Sequence, residues 1–189
     1  MKTLRNIIGI HLSLLVICCL IYMIVMWGIG QIFPSAANGY PVERDGKIIG
    51  YKNIGQKFTM DKYFWGRPSA VDYNAAASGA SNSGPANPDY IRKVNARIDT
   101  FLIHNPGIKK SDIPVEMVTA SGSGLDPDIS PQGAVIQIAR IAKVRGVSAD
   151  RLKELINRNT EKSWFGWFGP EKVNVLMLNL ELDRISGKD

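Results

Sequence analysis

The feature that most constrains this chain is the apolar run near its N-terminus. After Arg5, no Asp, Glu, Lys or Arg occurs until Glu43. Residues 7–29 would span about 34 Å as a helix, enough to cross a hydrocarbon core of about 30 Å. The run has no polar face of the kind that a helix on the surface of a soluble domain needs. The sequence therefore predicts a single transmembrane helix over residues 7–29.

A cleaved secretory signal is the alternative for this segment, because residues 35–37 are small and lie at cleavage spacing. Such signals use an apolar region of roughly 7–15 residues, so the length of the run favours an uncleaved anchor. Lys2 and Arg5 flank the short end, and the positive-inside rule then places residues 1–6 in the cytoplasm. Residues 34–189 are expected to form one extracytoplasmic, periplasmic domain.

The composition of the exported part narrows its class. Both cysteines, Cys18 and Cys19, lie inside the apolar run, so the domain has no cysteine for a disulfide and must rely on its core. At roughly 155 residues it is long enough to build one. Without Lys2 and Arg5, the chain has 21 basic and 17 acidic residues, which are interspersed. No basic block with interleaved aromatic residues occurs, which argues against nucleic-acid binding.

Local signals predict the elements of this domain. Asp45-Gly46 between two short extended runs indicates a β-hairpin, with a second extended piece expected over 51–54. A long loop rich in Gly, Ser, Ala, Asn and Pro follows over 64–88. The expected fold class is a single transmembrane helix followed by one α/β (α+β) domain that has an early β-hairpin and three to four helices.

Three helices have clear start signals. Asn87 is the N-cap of the first, whose apolar face is expected to contain Ile91, Val94, Ile98, Phe101 and Leu102, and Asn105 ends it. Ser130 caps a second helix that runs to Gly146, and Ser148 caps a third with Leu152, Leu155 and Ile156 facing inward. The run 173–185 fits either a strand or a helix capped by Asn174; its apolar spacing favours the helix.

The serine- and glycine-rich stretch "VTASGSGLDPDISPQGA", 118–134, invites a catalytic interpretation that its details do not support. Ser123 lacks the G-x-S-x-G pattern of a nucleophile elbow. The histidines are only His11, in the apolar run, and His104, at a helix end, so a base for a triad is missing. Asp126 and Asp128 resemble the start of a calcium loop, but its glycine and final carboxylate are misplaced. No catalytic residue and no metal ligand is predicted.

With no catalytic or metal site predicted, the remaining possibility for these loops is binding of an anion or of a partner protein. No Walker motif is present, but an arginine and several Ser-Gly segments offer side-chain and backbone donors for an anion, or small surfaces that fit under a partner. Partner docking is the favoured of these two readings. The candidate residues for partner docking or anion and nucleotide contact are Arg67, Ser69, Ser78, Ser81, Asn82, Gly84, Ser121, Ser123 and Asp126.

Three long segments carry a resemblance to a known family: "FWGRPSAVDYNAAASGASNSGPANP", "IPVEMVTASGSGLDPDISPQGA" and "KVNVLMLNLELD". Together with the single N-terminal span, they resemble the C subunit of the bacterial Kdp-type potassium-transporting P-type ATPase over nearly the whole chain. Two positions depart from the usual pattern. Asp128 stands where histidine is common, and residues 169–172 replace a Glu-Pro-Arg arrangement.

The resemblance implies an accessory subunit of a four-part pump in the bacterial inner membrane. Its partners would be a potassium-channel-like A subunit that handles K⁺, a B subunit that hydrolyses ATP, and a small F peptide. The family is described as a catalytic chaperone that raises the ATP affinity of the B subunit. The resemblance implies no covalently bound cofactor, and any ATP contact would arise through the complex.

The expected topology conflicts with direct contact to cytoplasmic ATP, because the domain should lie beyond about 30 Å of hydrocarbon. Any effect on ATP affinity would then be a coupling free energy transmitted through membrane subunits. The hypothesis is that loops 64–88 and 118–130 dock at the extracytoplasmic entrance of the channel-like subunit. A membrane-anchored envelope enzyme and an exported binding protein are the alternatives.

Overall fold

A computed structural model describes residues 2–163 and 165–186. The chain divides into two compact units, with the division between Pro41 and Val42. The first unit is helical, and the second is an α/β domain, so the predicted class of one apolar helix followed by an α/β domain is confirmed.

The first unit consists of one long helix and a short turn of helix. Helix α1, Lys2–Leu15, continues through a π-helical segment, Val16–Ile21, into α2, Tyr22–Ile32. A short helix, α3, spans Pro34–Ala37. Within the described residues, Lys2–Ile32 is the one helix long and apolar enough to cross a membrane, and none of its residues is buried.

The second unit contains five strands and five helices among the described residues. The strands are β1, Pro41–Arg44; β2, Lys47–Tyr51; β3, Asp128–Ile129; β4, Thr160–Glu161; and β5, Lys172–Asn174. The helices are α4, Pro88–His104; α5, Pro131–Val135; α6, Ile138–Arg145; α7, Ala149–Asn159; and α8, Val175–Ser186. Two 3-10 turns, Lys110–Asp112 and Val115–Met117, lie between α4 and β3.

The predicted hairpin is present as β1 and β2. Asp45 and Gly46 both have positive φ, 53° and 74°, as a type I′ turn requires. The extended piece expected over 51–54 is wrong. Tyr51 ends β2, and the Ile54 N–H donates to the Tyr51 carbonyl at 3.2 Å, which closes a turn instead.

The second sheet has the order β3-β5-β4 and is antiparallel throughout. Val173 in the central strand pairs with Ile129 on one side and Thr160 on the other. Each strand has only two or three residues, so the sheet connects distant parts of the chain rather than forming a broad surface.

The helices begin where the sequence predicts. The Asn87 side chain accepts from Asp89 N at 2.9 Å, the Ser130 hydroxyl from Gly133 N at 2.9 Å, and the Ser148 hydroxyl from Arg151 N at 3.4 Å. Gly146, with φ 67°, ends α6 in the left-handed conformation. The single helix expected from Ser130 to Gly146 is interrupted at residues 136–137, where Gln137 N bonds to the Ala134 carbonyl instead of continuing the α-helical pattern.

The segment 173–185, predicted as either a strand or a helix, contains both. Residues 172–174 form the short strand β5, and the helix favoured by the apolar spacing follows as α8. The Asn174 side chain accepts from Met177 N at 3.1 Å, so it caps this helix as predicted.

The core of the second unit combines residues of the helices with Ile129 of β3, Val173 of β5, residues in and beside the second 3-10 turn, and Phe64, which is completely buried. Leu152, Leu155 and Ile156 of α7 face inward as predicted. On α4, Ile98 and Phe101 are buried, but Ile91, which was expected on the same face, is 45% exposed. It lies in the first turn of α4. The core therefore begins one turn later along the helix than the spacing predicts.

Candidate functional site

Two loops of the second unit bind each other through polar contacts. We call residues 64–87 and 118–127 the loop pair. Arg67 Nη1 donates to Asp126 Oδ2 at 2.8 Å, and Ser69 Oγ donates to the Gly124 carbonyl at 2.7 Å. Gly79 N–H and the Ser78 hydroxyl both donate to the Ser123 carbonyl, at 2.9 and 3.1 Å. The small polar residues of both segments therefore hold the two loops together.

Gly124 shows why a small residue is needed at this contact. Its φ is +67°, and a Cβ placed there would lie 2.8 Å from the Gly79 carbonyl and 2.6 Å from a methyl group of Val71. Gly122, two residues earlier, has open space around the same position. The glycine at 124 permits close approach of the loops, whereas the one at 122 is not required for it.

Tyr73 links the contacts within the first loop. Its hydroxyl donates to the Arg67 carbonyl, and its backbone N–H donates to Ser69 Oγ at 2.9 Å. Burial raises the pKa of Tyr73 to about 12, and the carboxylates of Asp72 and Asp126 add to the increase. The phenol is therefore held as a neutral hydrogen-bond donor.

Two buried side-chain amides fix the start of the first loop. Asn179 Oδ1 accepts from Phe64 N–H at 2.8 Å, and its Nδ2 donates to the Phe64 carbonyl at 2.9 Å. Gln137 does the same for Trp65, at 2.8 Å for the N–H and 3.2 Å for the carbonyl. The backbone of residues 64 and 65 is thus paired with amides from α8 and from the turn before α6, as a strand is paired in a sheet.

Arg140 supports the same segment. Its guanidinium donates to the carbonyls of Asp61 and Tyr63 and to the side-chain oxygens of Asn105 and Gln137. Its centre lies 4.4 Å from the centroid of the Trp65 ring. Burial lowers the pKa of Arg140 to about 10, and the negative charge of Asp61 opposes this shift. The arginine remains charged at neutral pH, and its N–H groups donate to neutral carbonyl and amide oxygens.

The structure brings together five of the nine candidate residues for partner docking or anion contact. Arg67, Ser69, Ser78, Ser123 and Asp126 lie in the contact between the loops.

The other candidates lie apart from that contact. Ser121 is buried, and its carbonyl accepts from Gly124 N–H at 3.4 Å. Ser81, Asn82 and Gly84 are exposed; the Ser81 carbonyl accepts from the Ser83 hydroxyl, and the Gly84 carbonyl accepts from Asn87 N–H. Arg67, a candidate for partner docking or anion contact, is paired with Asp126 within the chain.

A groove of about 390 Å³ opens beside the loop pair. One wall is α4, which contributes Arg97 and His104, and the opposite wall is the segment from Trp65 to Ser69. The His104 ring packs edge-on against the Trp65 ring at 4.9 Å between centroids, and its Nδ1 lies 2.8 Å from an Asp61 carboxylate oxygen.

The amides and Arg140 are the positions that sequence reasoning missed. A signal existed for Gln137, a polar residue between the apolar positions 134, 138 and 141 of one helical face. Such a residue is buried only when its polar atoms are bonded, so its presence indicated a specific partner. The identity of that partner, 72 residues away, had no local signal.

The arrangement is suited to binding more than to covalent chemistry. Within residues 2–163 and 165–186, no group of three or more His, Cys, Asp or Glu side chains could hold a metal ion. The hydroxyls of Ser69 and Ser78 donate to backbone carbonyls of the same domain, and Ser123 Oγ accepts from Leu125 N–H.

Comparison with known proteins gives a consistent result over the whole length. The sequence model of the family described as "KdpC: K+-transporting ATPase, c chain" matches residues 4–184. A potassium-transporting ATPase KdpC subunit of Flavobacterium johnsoniae is 50% identical over 185 residues, covering 98% of this chain and all of the relative.

Relatives of the same description occur in other bacteria. The KdpC subunit of Bacteroides fragilis is 47% identical over 191 residues, with both chains fully covered. That of Caldanaerobacter subterraneus subsp. tengcongensis is 46% identical over 182 residues, covering 96% of this chain and 94% of the relative. The chain therefore belongs to the KdpC family, the c-chain subunits of potassium-transporting ATPases.

Proposed function

We propose that this chain is a non-catalytic accessory subunit of an ATP-driven potassium uptake complex, in which its α/β domain docks on the extracytoplasmic side of a channel-like subunit. The long apolar helix anchors it in the inner membrane, with the N-terminus in the cytoplasm. Family membership supports the role in potassium transport. The loop pair is the observation that supports docking, because its bonds hold loop segments without helix or strand in one fixed shape.

Rigid loops favour binding, since little conformational freedom is then lost when a partner covers them. In the loop pair, the polar side chains bond inside the domain and leave small, exposed residues such as Ser81, Asn82 and Gly84 at the surface. A surface of this kind permits close approach of another backbone. It lacks the unpaired nucleophile and base that an envelope enzyme would need.

Hydrolysis of ATP belongs, in this proposal, to a separate P-type ATPase chain, and a small peptide completes the complex. A domain outside the membrane changes the ATP affinity of that chain only through a coupling free energy between the two sites. Such coupling is reciprocal, so saturating ATP should tighten the attachment of this subunit by the same factor.

The test of the complex is co-purification. The tagged full-length chain is extracted in detergent from membranes of potassium-starved cells, and potassium-stimulated ATPase activity is measured in the eluate. We expect an intact, active complex, and we expect loss of that complex when residues 1–33 are replaced by an unrelated transmembrane helix. Recovery of the chain alone from cells that make the other subunits would overturn the proposal.

The proposed orientation has its own test. Because Cys18 and Cys19 are the only cysteines, a chain with both replaced by serine accepts a single new cysteine as a reporter. In Ser81→Cys, an exposed position, a membrane-impermeant maleimide should label intact spheroplasts; in Thr3→Cys it should label only lysed ones. The reverse pattern would place the domain on the cytoplasmic side.

A further inference from the structure

The groove beside the loop pair has an unbalanced charge. Its lining carries the cations Lys57, Arg67 and Arg97 against one carboxylate, Asp72. Lys57 is paired with Asp72 at 2.6 Å, and Arg67 with Asp126 at 2.8 Å. Each of these two cations is therefore already neutralised by a carboxylate of the same domain.

Arg97 is the exception. Its Nη1 donates to the Val118 carbonyl at 3.1 Å, and among the described residues no carboxylate lies within ion-pair distance of it. A guanidinium has five N–H donors in a planar fork, so most of its capacity is unused by this single bond. The side chain is partly buried on α4, which reduces its access to water while leaving it facing the groove.

The surroundings of Arg97 favour a ligand with an apolar stem and one charge. Trp65 and Tyr73 provide aromatic surface in the lining. The Trp65 ring is held between the His104 ring and the Arg140 guanidinium, at 4.9 and 4.4 Å, so this wall is preorganised. The methylene groups of an acidic side chain can pack on this surface while its carboxylate meets the fork of Arg97 in a bidentate pair.

We propose that this groove receives an acidic side chain from an extracytoplasmic segment of a partner subunit, with Arg97 as its charged contact. The inference rests on the proposed function and adds to it the site and the chemistry of attachment. A phosphate or polyphosphate fits less well. It brings more than one negative charge, and the remaining cations of the groove already hold carboxylates that would repel it.

The first test compares two neutralisations on the same helix. Arg97→Gln should weaken retention of the tagged full-length chain in the complex by about 10- to 100-fold, the usual effect of removing one partner of a charge-assisted pair. Arg92→Gln is the matched control, because Arg92 is 74% exposed and paired with Asp89. Arg97→Lys, which keeps the charge but loses the fork, should retain part of the affinity.

Salt dependence separates docking from a purely structural role. Retention of the wild-type chain should fall as NaCl rises, because exposed charge attraction is screened, and this dependence should flatten in Arg97→Gln. A structural defect would instead lower the melting temperature of the isolated chain in detergent. Equal retention of wild type and Arg97→Gln at every salt concentration would overturn the inference while leaving the proposed function intact.

A second measurement decides the case in which Arg97→Gln loses stability. A photoreactive amino acid placed at Thr59, an exposed residue of the groove lining, is activated in the whole complex. We expect an adduct with an Asp- or Glu-containing segment of a partner subunit. Adducts with lipid alone, or none with any subunit, would overturn the inference. Absence of the complex even with the wild-type chain would instead overturn the proposed function.

Discussion

The side-chain amides of Asn179 and Gln137 hydrogen-bond the backbone of residues 64 and 65, as a neighbouring strand does in a sheet. Each amide satisfies both the N–H and the carbonyl of one backbone residue, and both side chains are almost fully buried. Removing one partner leaves buried backbone groups without hydrogen bonds, which costs more than the bonds themselves contribute.

Asn179→Leu should therefore lower the free energy of unfolding by about 2–4 kcal/mol, since two backbone groups of Phe64 lose their partners. Asn157→Leu is the control, because Asn157 is an exposed residue of α7. Thermal unfolding of the full-length chain in detergent, followed by near-UV circular dichroism, measures both. A similar small change in the two variants would contradict the role assigned to the amide.

Tyr73 makes a prediction about pH. Because the folded chain keeps the phenolic proton up to about pH 12 and the unfolded chain loses it near pH 10, the native state binds more protons between these values. The stability that Tyr73 contributes is then fully present below pH 10 and lost as pH rises through this window.

The titration can be isolated with one variant. The phenolate absorbance of Tyr73→Phe is subtracted from that of the wild-type chain across alkaline pH. The difference should titrate near pH 12. A difference that titrates near pH 10 would show that Tyr73 is not held in its neutral form by the fold.

At the scale of elements, the loop pair depends on one glycine. Gly124→Ala should cost at least about 1–2 kcal/mol, because a left-handed φ disfavours any residue with a Cβ and the new methyl would meet the Gly79 carbonyl. Gly122→Ala, in the same Ser-Gly-Ser-Gly run, should be nearly neutral. Chemical denaturation of both variants measures the difference, and equal stabilities would mean that the loops do not require close approach at 124.

The elements that sequence predicts are those with local signals. Asn87, Ser130 and Ser148 lie next to the N–H groups they cap, and Asp45-Gly46 forms its turn within four residues. The β3-β5-β4 sheet had no such signal, because strands of two or three residues are too short for periodicity to reveal. The contacts of Gln137 and Asn179 with residues 64 and 65 span 72 and 115 positions, so they emerge only from tertiary packing.

The candidate site shows the same division. Sequence identified the two loops, and five of its nine residues meet in the contact between them. Their role in that contact depends on which carboxylate neutralises which cation, and this is a property of the folded chain. Arg97 was not predicted as a site residue, since its significance is that, unlike Lys57 and Arg67, it has no carboxylate partner among the residues that the structure describes.

At the scale of the whole molecule, the buried core lies entirely in the second unit. No described residue of the first unit is buried. A fragment of residues 38–189 should therefore fold alone and unfold cooperatively, within a few degrees of the full-length chain. Differential scanning calorimetry of both would check this, and a broad transition without an unfolding peak would show that the domain needs the first unit.

The backbone at residues 64 and 65 is hydrogen-bonded by side chains whose charge does not change near neutral pH. Amides do not titrate, and Arg140 remains protonated until about pH 10. The backbone at residues 64 and 65 should thus keep one geometry from acidic to mildly alkaline conditions. Any response of potassium uptake to the acidity of the medium then has to originate outside this backbone segment.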